Sequence, residues 1–177
     1  MRHVFEECRA GRPGLHHQPG HPHGFHTHIY LGEVHHCRPL HDPAGVLREL
    51  NALAYPYPLS LKRTLLRRQL WHANFALDTT ASSAARGDVF HANGSFFQCV
   101  ASLVQVLYAL NERYLINEKG ALSGIEELPL HPHTFAETAS TVLARPGRDA
   151  EELAYSFQTL KILLEEVEAL LATIEVP

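Results

Sequence analysis

The chain has 177 residues and a formal net charge of −4, a single-domain length with a charge that argues against general nucleic-acid binding. It has no unbroken apolar run of about 18 residues, so no membrane span is expected, and its first residues lack the apolar core of a secretion signal. Three widely spaced cysteines fit a reducing compartment, so we expect a cytoplasmic protein.

Histidine divides the chain into two parts. Ten of the 14 histidines lie in the first 41 residues, so we expect a histidine-rich arm with a remnant strand over 1–41 and a helical domain over 42–177. Residues 1–23 are rich in glycine and proline, which predicts a flexible arm. Residues 24–34 have the composition of one short β-strand.

A lone strand needs a partner for its backbone groups. Because no second strand is predicted, we expect residues 25–34 to pair with the same strand of a second copy, giving a homodimer. Deleting residues 1–36 is then expected to leave a folded, helical monomer.

Apolar residues at helical spacing predict the remaining elements. In chain order they are a short helix from Asp42 to about Ala54, long helices over 58–85 and from about Val89 to 110, a short turn capped by Ser123, and helices over 132–144 and 149–174. Tight connections favour antiparallel neighbours. The expected fold is therefore all-α, an antiparallel four- to five-helix bundle with a short N-terminal β-strand and a flexible histidine-rich arm.

The helix that contains residues 96–110 is apolar almost all round, which is typical of the centre of a bundle. Cys99 is expected to be a small core residue. Polar residues are confined to one narrow stripe, made of Ser95, Gln98, Ser102, Gln105 and Glu112. Replacing Gln105 on this stripe by alanine is expected to cost under about 1 kcal/mol.

A cluster of polar residues follows this helix. Its candidate substrate-binding members are Asn111, Arg113, Tyr114, Asn117, Glu118 and Lys119. Either the cluster forms a binding site at the end of a buried helix, or it caps that helix and pairs with the neighbouring loop. The residues alone leave both interpretations open.

The run ALNERYLINEKGAL, with the long helix before it, resembles the C-terminal helical domain of bacterial nucleotidyltransferases of the aminoglycoside-modifying and minimal type. The segment GFHTHIYLGEVHHCRPLHDPAGVLREL resembles the last strand and exit helix of their polymerase-β-like catalytic domain. In that family the catalytic domain carries a Gly-Ser and an Asp-x-Asp motif, and it would precede residue 20. None of the four aspartates here lies two residues from another.

The resemblance implies a helical substrate-binding or accessory domain that is not catalytic on its own, its catalytic half being truncated or encoded separately. It implies no intrinsic cofactor, and a Mg-nucleotide only with a nucleotidyltransferase catalytic partner. The ligand would be a nucleotide or another small molecule. By the same resemblance Lys119 is the first candidate for a phosphate contact, Arg113 the second, and Glu118 a candidate base.

Two alternatives come from other residues. His26 and His28 would share one face of a strand, so they are candidate metal ligands, and the arm could serve a metal-binding or structural homodimer. The Arg86-x4-His91 spacing matches the loose pattern of HEPN-type ribonucleases, which are also helical bundles. The basic group that contains Lys62, Arg63, Arg67 and Arg68 is expected to be a solvated helix face.

Overall fold

The structure, a computed structural model, describes residues 1–174 and is mostly helical over that range. Eight helices and two short strands follow in this order: α1 Arg2–Arg9, β1 Leu15–His16, β2 Phe25–His26, α2 Ile29–His36, α3 Val46–Ala54, α4 Leu59–Ala85, α5 Val89–Leu110, α6 Ala121–Ile125, α7 Phe135–Ala144 and α8 Ala150–Ala172. The predicted all-α class is confirmed.

Helix α5 is the centre of the core. It contacts α4, α6, α7 and α8, and its residues Cys99, Leu103 and Leu107 are fully buried. The helix is long and apolar enough to cross a membrane by composition, but most of that stretch is buried inside the protein. Its apolar surface is therefore covered by neighbouring helices, as the sequence predicted for a core helix.

Local end signals set the ends of the long helices. Pro58 precedes α4, and Gly87, with φ of 73°, allows the turn that ends it. The Asp88 carboxylate accepts a hydrogen bond from the His91 N–H at the start of α5. Asp149 accepts from the N–H groups of Glu151 and Glu152 at the start of α8. These four ends agree with the sequence within about two residues.

Three shorter elements begin elsewhere than predicted. Helix α3 begins at Val46, after Gly45 with φ of 68°, and Asp42 instead accepts a hydrogen bond from the Arg48 N–H at 3.1 Å. Ser123 lies inside α6 and donates to the Gly120 carbonyl, so it is not the cap. Helix α7 begins at Phe135 rather than residue 132. End positions of short helices depend on neighbouring loops, which apolar spacing does not report.

The prediction that residues 1–23 form a flexible arm is wrong. They contain α1, whose residues Phe5 and Cys8 are fully buried in the main core, and β1. Long-range hydrogen bonds fix this segment: the Arg9 guanidinium donates to the Leu53 carbonyl at 2.8 Å, and Thr64 donates to the Gly11 carbonyl at 2.9 Å.

The prediction of an unpaired strand over 24–34 is also wrong. Only Phe25–His26 is a strand, and it pairs antiparallel with Leu15–His16 of the same chain. From Ile29 onward the segment is helix α2, which buries Ile29 and Leu31. A short apolar run does not distinguish a strand from a buried helical turn. The reasoning from strand pairing to a homodimer thus loses its premise, and the homodimer stays a prediction without that support.

Candidate functional site

The narrow polar stripe of the central helix lies mostly on α5, and we call it the α5 stripe. It faces the histidine-rich residues 21–28. Ser102 is 1 % exposed and Gln105 is 5 % exposed, although both are polar. Gln98 contacts the hairpin loop twice, since its Oε1 lies 2.9 Å from His23 Nδ1 and its Nε2 donates to the Pro22 carbonyl at 3.4 Å. The low cost expected for replacing Gln105 assumed a solvent-facing side chain. Because Gln105 is buried, that assumption is wrong.

Two histidines lie side by side in this contact. His26 is 2 % exposed, His28 is 1 % exposed, and their ring centroids are 5.5 Å apart. Only His26 belongs to β2, while His28 is the N-cap residue of α2, so the two do not share a strand face as predicted. Their proximity comes from the turn between the strand and the helix.

Burial keeps both imidazoles neutral at pH 7. Burial is the main cause that lowers the pKa of His26 to about 2, and the positive charges that His28, His23, Arg68 and His72 can carry contribute to the same shift. Burial also lowers the pKa of His28 to about 4, an effect that the nearby Gln105 side chain opposes. Since a neutral imidazole has one lone pair and one N–H, each ring can still accept and donate one hydrogen bond.

Helix α4 supplies two further residues to this cluster. Arg68 is half-buried and donates to the Pro13 carbonyl at 3.1 Å, and His72 lies one turn further along the helix. Of the predicted solvated face, Arg63 and Arg67 are exposed, but Lys62 is buried and its Nζ lies 2.8 Å from Glu112 Oε1. The four-residue spacing of Arg68 and His72 was the available sequence signal for this face.

Glu118 is the predicted site residue that joins the histidines. Its Oε1 accepts a hydrogen bond from the His23 backbone N–H at 3.0 Å, and its Oε2 lies 4.0 Å from His21 Nδ1. A cavity of about 90 Å³ lies beside it, with His23, Gln105 and Glu118 as its polar lining and α5, α6 and α7 side chains as its apolar lining. This arrangement places a carboxylate and an imidazole at one small cavity.

Three predicted site residues form hydrogen bonds within the fold. Asn111 both donates to and accepts from the Leu130 backbone, at 2.8 and 2.9 Å, which ties the end of α5 to the loop before α7. Tyr114 is buried and donates to the Ala54 carbonyl at 2.8 Å. Asn117 Oδ1 accepts from the Lys119 N–H at 2.8 Å. These contacts agree with the interpretation in which the cluster caps a helix.

Arg113 and Lys119 are exposed. Among residues 1–174 neither side chain forms a hydrogen bond or a salt bridge. The six predicted residues thus separate into an inward group, an exposed basic pair, and Glu118 at the histidines. They do not converge on one point.

The two alternative sites from the sequence are a metal site at the histidines and a ribonuclease pair of Arg86 and His91. Within the part of the chain that the structure describes, no group of three or more His, Cys, Asp or Glu side chains is arranged to hold a metal ion. Arg86 hydrogen-bonds Ser82, whereas His91 Nδ1 lies 2.8 Å from Ser83 Oγ. Both Arg86 and His91 are exposed, and each contacts its own serine on α4.

The family described as a domain of unknown function (DUF4037) matches residues 27–119, more than half of the chain. The chain belongs to the DUF4037 family. No curated protein and no solved structure matches the chain. The DUF4037 match extends from α2 through α5 to Lys119, so it includes His28, the α5 stripe and Glu118, while His21, His23 and His26 precede it.

Proposed function

We propose that this chain is the helical substrate-binding or accessory domain of a nucleotidyltransferase-like protein and that it transfers no nucleotide by itself. We infer an antiparallel bundle of α4, α5, α7 and α8 as its framework, because α4 and α5 are joined by a tight turn and α8 packs on α4, α5 and α7. Its ligand is a nucleotide or another small molecule.

The arrangement at the C-terminal end of α5 carries this proposal. Glu118 is held against the histidine-rich hairpin, and the adjacent Lys119 and the nearby Arg113 extend from the same segment toward solvent. A flexible ammonium group is suited to a phosphate, and a planar guanidinium can bind phosphate oxygens in pairs. The Glu118 carboxylate forms no ion pair with Arg113 or Lys119 among the described residues. It is therefore a candidate hydrogen-bond acceptor for a substrate hydroxyl or amine.

The nucleotidyltransferases that the chain resembles use an Asp-x-Asp pair, which this sequence does not have. Nucleotidyl transfer through two metal ions needs paired carboxylates, and none of the four aspartates lies two residues from another. A catalytic domain with an Asp-x-Asp pair would have to supply the metal-bound nucleotide. This chain would then contribute the acceptor side of the cleft or a contact to that catalytic domain.

Two measurements test the proposal. The pure chain, given labelled nucleoside triphosphate and Mg²⁺, should incorporate no label into itself or into aminoglycosides. A titration with Mg-ATP followed by NMR should shift resonances of Arg113, Glu118 and Lys119. Lys119→Ala should weaken that response, whereas Lys161→Ala, which removes an exposed lysine of α8, should leave it unchanged.

Robust Mg²⁺-dependent incorporation by the pure chain would contradict the proposal that it is non-catalytic. Shifts that cluster away from residues 113–119, or an equal loss in the Lys119 and Lys161 variants, would contradict the proposed phosphate contact.

A further inference from the structure

Three neighbouring histidines contain buried nitrogens that have no hydrogen-bond partner among the described residues. Within residues 1–174, His23 Nε2, both ring nitrogens of His26, and His28 Nδ1 are buried without a hydrogen-bond partner. A buried polar group left unpaired costs about 1–3 kcal/mol, so a cluster of four requires an explanation. The rings follow one another, with centroids 5.3 Å apart for His23 and His26 and 5.5 Å apart for His26 and His28.

The His23 ring has a defined tautomer. Gln98 Nε2 donates to the Pro22 carbonyl, so Gln98 Oε1 is the atom that faces His23 Nδ1 at 2.9 Å. An amide oxygen only accepts, and therefore His23 Nδ1 carries the proton and donates it. The lone pair then lies on Nε2, the buried nitrogen without a partner. An imidazole that donates one N–H to an oxygen and directs its other nitrogen inward is the usual arrangement of a metal-bound histidine.

The spacing of two ring pairs, His23 with His26 and His26 with His28, suits one ion. A metal–nitrogen bond of about 2 Å and tetrahedral angles place the centroids of two coordinating imidazoles about 5 Å apart. The observed separations of 5.3 and 5.5 Å are close to that value. The donor nitrogens do not yet surround one point among the described residues, so binding requires the rings to turn. His26 forms no side-chain hydrogen bond that such a rotation would break.

The ligand atoms and the nearby charges indicate which class of ion fits. His23, His26 and His28 offer imidazole nitrogen, which suits zinc and related transition metals rather than the oxygen-seeking Mg²⁺ and Ca²⁺. Arg68 contributes a nearby positive charge but is held on the Pro13 carbonyl, and Glu118 contributes a negative charge beside His21 and His23. His72 is the remaining titratable neighbour on α4.

We propose that His23, His26 and His28 bind one divalent transition-metal ion of the zinc class, which joins the hairpin between β1 and β2 to the start of α2. Two of the three ligands come from the hairpin loop and its second strand, and the third comes from the start of α2. The ion satisfies nitrogens that are otherwise unpaired, and it joins three parts of the N-terminal segment. This site is independent of the nucleotide contacts proposed above.

The test uses the full chain without an affinity tag, treated with a chelator and then titrated with Zn²⁺ at about pH 7.5, where imidazoles are neutral. One ion per chain should bind with a Kd at or below about 1 µM, and the melting temperature should rise. Co²⁺ should give the visible absorption of a tetrahedral site. His26→Ala should weaken binding by more than the roughly tenfold loss expected for Gln98→Leu, which removes only the partner that orients His23.

The matched control is His16→Ala with His17→Ala, which removes two exposed histidines of the same segment. It should leave the affinity and the Co²⁺ spectrum unchanged. Equal loss in the His26 variant and this control would mean capture by exposed histidines only, and would overturn the proposal. So would the absence of binding below about 100 µM, which would leave water as the partner of these nitrogens. If His26→Ala fails to fold by circular dichroism, Gln98→Leu and His28→Gln decide the outcome.

Discussion

The N-terminal segment, residues 1–41, differs from the long helices α4, α5 and α8 in what determines its structure. In the long helices, apolar residues at helical spacing and capping residues next to the helix ends determine structure locally. In the N-terminal segment, two strands of two residues each and two helices of eight residues form in contact with α3 and α4. Their structure depends on residues that are distant in the sequence.

This difference explains the position of the histidines. Leu153, Leu160 and Leu164 of α8 are buried because they are apolar, and a pattern of apolar residues predicts that. His26 and His28 are buried because the hairpin covers a polar stripe on α5. A polar stripe can face solvent or another polar surface, and the sequence of one helix does not distinguish these two cases.

Deletion of residues 1–36 is the change with the largest expected effect on stability. The deletion removes the fully buried Phe5, Cys8 and Leu31, each large apolar side chain contributing about 1.5–3 kcal/mol, against a total stability of about 5–15 kcal/mol. We therefore expect loss of cooperative unfolding in a thermal melt. Replacing the exposed residues 17–20 by a Gly-Ser linker of equal length should retain it. A folded, helical deletion variant would mean that the segment is the separable arm which the sequence alone suggested.

Lowering the pH should destabilise the N-terminal segment next. Folding lowers the pKa of His26 to about 2 and of His28 to about 4, from about 6.5 in the unfolded chain. Their neutral forms therefore stabilise the fold fully above pH of about 6.5, and this stability is lost as the pH falls toward 4, by roughly 1.4 kcal/mol per group and pH unit. Urea unfolding in a chelating buffer measures the slope.

His28→Gln should reduce that slope, and His17→Gln, at an exposed position, should not. A stability that is constant between pH 7 and 5 in the wild-type chain would be incompatible with buried, neutral histidines.

A single methyl group tests whether α2 packs as a helix on the segment after α5. Gly32 lies inside α2, and a Cβ there would be 2.8 Å from Tyr114 Cβ. In an exposed helix Gly→Ala stabilises by about 1 kcal/mol, but here we expect Gly32→Ala to cost about 1–3 kcal/mol through overpacking. Gly94→Ala in α5, where a Cβ meets nothing within 4 Å, is the control and should stabilise. Stabilisation by both changes would place α2 away from Tyr114.

The smallest expected effect concerns the α5 stripe itself. Gln105→Ala should cost about 1–2 kcal/mol, because it removes packing contacts at a position that is 5 % exposed. Gln158→Ala, at an exposed position of α8, should change the stability by less than about 0.5 kcal/mol. Equal, small values for the two glutamines would mean that the stripe faces solvent.

The sequence predicted the parts of the fold that local signals determine. Asp88 and Asp149 mark the starts of α5 and α8, and the apolar run in α5 identifies the core helix. The strand prediction for residues 24–34 was wrong because a short apolar segment fits a strand or a buried helix. In the folded chain α2 packs against Tyr114 and α3, and the local sequence does not report these contacts.

The prediction of the candidate site also used local signals. Glu118 was included because it lies in a dense polar cluster after a buried helix. Its contacts with His21 and His23 could not be predicted, because these residues lie about a hundred positions earlier and meet Glu118 only through the hairpin. Asn111 and Tyr114 entered the prediction through the same cluster, although their partners are the Leu130 and Ala54 backbones.

Amide hydrogen exchange followed by mass spectrometry tests most directly whether the histidine-rich segment is an ordered part of the core. Peptides covering α1 and α2 should exchange slowly, through openings that approach global unfolding, whereas residues 17–20 between the strands should exchange fast. Exchange of residues 2–9 and 29–36 as fast as that of residues 17–20, with α5 still protected, would contradict this expectation.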